Sequence, residues 1–206
     1  MLSEGNGISP MADRVEAEQA DVISESEMRV RFGALGAIAP QIPRFLRYWR
    51  KACGDRALPR REDISPMDIP PDILPNVILT EAIDGGARHR YRLVGTEIDT
   101  ASRRSLTGAT VDAAITNPPY RSYILGLYET VMTLRRPLFS VSNFAHPDLT
   151  HIVTQRIMCP LSPDGGAVNM IISCQVFDTH PNRWPDAAVI KPGVFQKLFE
   201  AEIVAP

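Results

Sequence analysis

The segment "AHPDLTH" places His146, Asp148 and His151 within six residues. Two imidazoles and a carboxylate at such spacing are a donor set that a divalent transition metal accepts. Both flanks are strand-like, however, and no further ligand stands nearby in sequence. Pro-Asp is ordinary turn chemistry, so the segment is read as a turn between strands and not as a metal site. For acid-base catalysis the chain offers Glu97, Asp99 and Asp112. No spacing pairs them with a base or with each other, and they are read as solvated surface. The glycine pairs in "DGGARHR" and "PDGGAV" lack the Lys and Ser or Thr of a phosphate-cradling loop and read as hairpin turns. Cys53, Cys159 and Cys174 are far apart with no CxxC spacing, which suits reduced packing residues. Tyr120, Tyr123 and Tyr128 recur at helical spacing and either present hydroxyls to a pocket or serve as core.

These residues need elements to position them. The 206 residues are 44% hydrophobic and 22% charged, enough for one well-cored domain with extensions. A net charge of -2 with dispersed basic residues gives no footprint for nucleic acid. No apolar stretch approaches the ~20 residues that cross a bilayer, and the acidic N-terminus lacks the layout of a signal peptide. A cytoplasmic protein without membrane contact is expected.

Residues 13–32 favour a helix with a thin apolar side of Val15, Val22, Ile23 and Val30. Residues 41–53 form a clearer one, with Ile42, Phe45, Leu46, Trp49 and Cys53 on one face and Arg44, Arg47, Arg50 and Lys51 on the other. Then come five prolines between residues 58 and 75, which stop that helix and force an extended, stiff strap. A PxxP recognition motif is the weaker reading of the same segment. Strands are expected at 76–83 and 88–98, joined by "DGGA" as a hairpin. Residues 99–117 lack periodicity, contain a Ser-Arg-Arg-Ser run at 102–105, and offer Gly108 as a hinge. Asn117 caps a long helix that opens on Pro118 and ends before Pro137. Three further strands at 138–145, 150–161 and 168–178 read as a meander. The tail from 180 to 206 has a short helix candidate at 193–203, "GVFQKLFEAEI".

The order of elements is hairpin, helical crossover, meander. It predicts an α+β fold, a five-stranded antiparallel sheet with the crossover on one face and N-terminal helices besides. Strand and helix phases place Tyr91, Leu93, Tyr123, Leu127, Phe139, Val141, Ile172 and Cys174 on the inward side, as candidates of which some line a pocket beneath the crossover.

The stretches "RYWRKACGDRALPRREDISPMDIPPDILPNVILTEAI", "YRLVGTEI", "LTGAT" and "QRIMCPLSPDGGAVNMIISC" resemble a family of small stand-alone PAS proteins of alphaproteobacteria, over about residues 41–179. Tyr48, Trp49, Leu58, Pro59 and Arg60 match that family's lead into the first strand. The resemblance implies a sensory or adaptor module, with residues 1–40 as a helical extension and 180–206 as a tail. It implies no catalytic activity, output through contact with an unidentified signalling protein, and a homodimer that uses the N-terminal helix. The crossover holds neither the Cys of flavin or covalent-chromophore sensors nor the His of haem sensors, so the resemblance leaves the cofactor unknown and a non-covalent small ligand open. Two other readings stand beside it. One is an enzyme on a cupped α+β scaffold, which requires a buried carboxylate facing a Tyr; the other is a dimerisation module with a filled core.

Overall fold

A computed structural model describes residues 21–33, 37–145, 151–178 and 195–204. Helix α2 (Gln41–Cys53) buries Ile42, Pro43, Phe45, Leu46, Trp49 and Cys53, and Gly54 ends it in a left-handed φ of 57°. The proline segment that follows is not simply extended. It breaks into one-turn 3-10 helices at Arg61–Asp63, Pro66–Asp68 and Leu74–Asn76; the last two contain Pro66 and Pro75, whose fixed φ suits such turns. Between the turns Leu58, Ile64, Ile69 and Ile73 are buried, so the strap is nailed to the core at four points. The Tyr48 hydroxyl donates to the Ser65 carbonyl at 3.1 Å, and Arg44 pairs with Asp72 across the same groove.

The strap leads into β2 (Val77–Ile83), which pairs with β3 (Arg88–Val94) through a turn at Asp84–Gly86 with three consecutive positive φ values. The expected second strand extends to residue 98, but β3 stops at Val94. At Gly95 a Cβ would lie 2.2 Å from the Pro75 carbonyl oxygen. Glycine there lets the chain cross the strap and turn into α3 (Thr96–Ser102). A short α4 (Val111–Ala114) and the long α5 (Pro118–Leu134) complete the crossover. The Asn117 side chain accepts the Tyr120 N–H at 3.0 Å as the expected cap. The meander is β4 (Leu138–Ala145), β5 (His151–Leu161) and β6 (Met170–Asp178).

The sheet has seven strands where five were expected, in the order β1-β7-β4-β5-β6-β2-β3. The tail segment expected as a helix at 193–203 is the strand β7 (Phe195–Ile203), paired antiparallel with β4; residues 193 and 194 lie outside the described residues. The expected helix at 13–32 is also corrected. Residues 13–20 lie outside the described residues, Asp21–Ile23 form β1 parallel to β7, and only α1 (Glu25–Gly33) is helical. Ser24 and Glu27 exchange hydrogen bonds at its start in a capping box. The apolar side chains Ile23 and Met28 are buried within the same chain, and Glu25 pairs with Arg50 of α2 at 2.7 Å.

Both faces of the sheet are covered. Helix α2 packs on β5 and β6 from one side, and α5 packs on β4 and β5 from the other. The Trp49 indole N–H donates to the Pro160 carbonyl at 3.0 Å, and the Gln155 side chain clips the lead-in to α2 by bonding both Ala37 O and Ala39 N at 2.9 Å.

Candidate ligand site

Between α3, α4, α5 and the sheet lies a cavity of about 350 Å³. The crossover supplies its roof through Ile98, Leu106, Ile115, Tyr120 and Ile124, and the sheet supplies its floor through Ile78, Thr154, Arg156, Ser173 and Gln175. The roof is held down at two places. Gly108 N–H donates to Tyr91 O at 2.8 Å and Tyr91 N–H to Ala109 O at 3.0 Å, while Tyr128 on α5 shares a 3.0 Å hydrogen bond with Thr80 on β2.

The floor is built on strand register. Ser140, Arg156 and Gln175 are direct cross-strand neighbours on β4, β5 and β6. Their side chains form one polar row. Arg156 is 4% exposed; its Nε donates to Gln175 Oε1 at 2.9 Å, Nη2 to the Tyr120 hydroxyl at 3.0 Å, and Nη1 makes a long 3.4 Å bond to Ser140 Oγ. All three partners are neutral. At the mouth, exposed Arg104 donates to the Ala114 carbonyl. The two arginines are the only charged residues among the described lining residues.

Burial raises the tyrosine hydroxyls. Tyr128 is pushed up to about 12, and Tyr91 goes well above its usual value through burial first and then the neighbouring Tyr128 and Tyr120, with Arg156 and Arg104 opposing. Both stay protonated at neutral pH and act as neutral donors and acceptors. Just beyond the floor, His89 lies 4.6 Å from the Tyr128 ring and 3.1 Å from the Met132 sulfur, and burial pulls its imidazole below the usual value.

Of the eight residues expected to line the pocket, Tyr91 does so. Leu93 is 37% exposed on the edge strand instead. Leu127 is buried beneath α5, and Tyr123 turns toward β7, its ring 4.5 Å from that of Phe195. Phe139, Val141, Ile172 and Cys174 are buried, but they alternate with Ser140, Ser173 and Gln175 and so face the α2 side. The physical reason is that the expectation covered one face of the sheet. With both covered, the more apolar face packs against α2 and the less apolar one floors the cavity. Tyr120 and Tyr128 reach the cavity and Tyr123 does not. Glu97, Asp99 and Asp112 are absent from the lining among the described residues. His146 and Asp148 lie outside the described residues, and no cluster able to hold a metal occurs among those described. Arg156 escaped the sequence reading. Its one signal was a cation at the centre of an apolar eleven-residue strand run, "HIVTQRIMCPL".

An antiparallel sheet order β4-β5-β6-β2-β3, roofed by a helical crossover over a small cavity, defines an α+β class of fold. The chain belongs to the PAS domain family, whose model matches residues 39–175, well over half of its length. A comparison with curated proteins found no match. No helix among the described residues is long and apolar enough to cross a membrane.

Proposed function

We propose that this PAS domain is a ligand-sensing module. A small molecule occupies the cavity, its presence alters the crossover, and the signal passes to another protein by contact in the cytoplasm, the chain itself catalysing no reaction. The observation that carries this reading is the cavity, whose roof consists largely of residues 98–117 and α5. Its size lies at the lower end of the range for small-molecule sites. A filled dimerisation module would leave no such space. The enzymatic alternative needs a carboxylate facing a tyrosine, and Tyr91, Tyr120 and Tyr128 face none among the described lining residues. The same reading makes the protein a homodimer in solution, with exposed Met67, Leu74 and Leu93 available as apolar contact surface.

Native mass spectrometry of freshly purified protein tests the proposal. The wild type should carry a small-molecule mass that denaturation releases, in a particle of twice the chain mass, and Ser173→Phe, which fills the cavity floor, should lack that extra mass. A wild type at its bare mass that also takes up no component of a cell extract would contradict the proposal.

A further inference from the structure

We infer that the ligand is an organic carboxylate with an apolar body, anchored on Arg156; this rests on the cavity being a ligand site. A buried guanidinium is tolerated when it is paired and its donors are satisfied. Arg156 is buried, yet it meets only Gln175, Tyr120 and Ser140, all neutral. A guanidinium has five N–H donors. Three are used here, which leaves one on each terminal nitrogen without a protein partner among the described residues. A carboxylate matches such a fork with its two oxygens.

The surroundings support the same sign of charge. Arg104 stands at the mouth, and no acid, lysine or histidine lines the cavity among the described residues. Asn117 and the N-terminal end of α5 also border it, so the positive end of the helix dipole adds to the potential. That helix end offers few hydrogen bonds of its own: Pro118 and Pro119 have no N–H, and the Tyr120 N–H is taken by Asn117. The anion is therefore held by side chains, with Arg156 on the floor and Arg104 at the mouth the cations at hand. Tyr91 lines the cavity as well, and its protonated hydroxyl is a neutral group there. The rest of the wall, Ile78, Ile98, Leu106, Ile124, Phe144 and Phe177, suits an aliphatic or aromatic body and not a second charge.

The test is calorimetric titration of the full chain with matched carboxylate and amide pairs, from octanoate and octanamide to indole-3-acetate and indole-3-acetamide. Each acid that binds should do so about tenfold to a hundredfold more tightly than its amide, the range for a hydrogen bond to a charged group. Arg156→Met, which keeps bulk and removes the charge, should erase that preference and leave the amides within about twofold. Should that variant fail to melt cooperatively, the acid-to-amide ratio in the wild type decides alone, together with a smaller loss for acids in Arg104→Gln. Amides that bind as tightly as their acids would overturn the carboxylate inference and leave the ligand site standing. If neither member of any pair bound while native mass spectrometry still showed a copurified small molecule, the carboxylate inference would fall and the ligand site would stand.

Discussion

Gly95 and Gly126 show how two glycines of one chain meet opposite constraints. A methyl group at Gly95 runs into the Pro75 carbonyl, whereas at Gly126, inside α5, nothing lies within 4 Å of the added Cβ. Gly95→Ala should therefore cost about 3 kcal/mol, a fall in melting temperature of roughly 10 °C. Gly126→Ala should stabilise by about 0.5–1 kcal/mol through helix propensity. A Gly95→Ala variant that melts with the wild type would contradict the first account, and a Gly126→Ala variant that melts below it the second. His89 sets a pH dependence of stability. Burial holds its folded pKa below the ordinary imidazole value, so the unfolded chain binds the proton first. Stability should be level above pH 7 and decline as pH falls through 6.5 toward the lower folded value. Melts of His89→Asn between pH 7.5 and 5.5 should show less of that decline than the wild type, and parallel curves would remove His89 from the explanation.

At the scale of elements, the termini carry the largest departures from expectation. The run "FQKLFEAEI" sets Phe195, Leu198 and Phe199 at helical spacing, but it lies along the edge of β4, where backbone pairing decides in favour of strand. Register then brings the Phe199 ring against that of Phe139 in a tilted contact at 5.9 Å, a long-range contact that no local pattern announces. The hairpin, the capped α5 and the amphipathic α2 were legible because their signals are local: a turn rich in positive φ, an Asn-Pro start, a single apolar stripe. The cavity lining was not legible, since it depends on which face α2 covers. Residues 21–33 dock on the chain's own sheet edge, so removal of residues 1–38 should strip Ile23 and Met28 from the core and lower the melting temperature. A truncated chain with unchanged melting but halved mass in light scattering would instead assign the segment to the dimer interface.

For the molecule as a whole, sensing requires that occupancy favour one arrangement of a movable part, since a ligand that binds both states equally shifts nothing. Residues 99–117 are placed for that role: they supply Ser102, Arg104, Leu106 and Ile115 to the cavity, and Gly108, with φ of 88°, sits where the roof is tied to Tyr91. Closing the ligand under this segment would tighten those ties and expose the change on the outer surface, where a partner can read it. Hydrogen exchange measured with and without the tightest-binding member of the acid and amide series tests this most directly. Exchange should slow across 99–117 as well as in the floor strands β5 and β6, whereas protection confined to the floor, with 99–117 unchanged, would contradict a gated sensor.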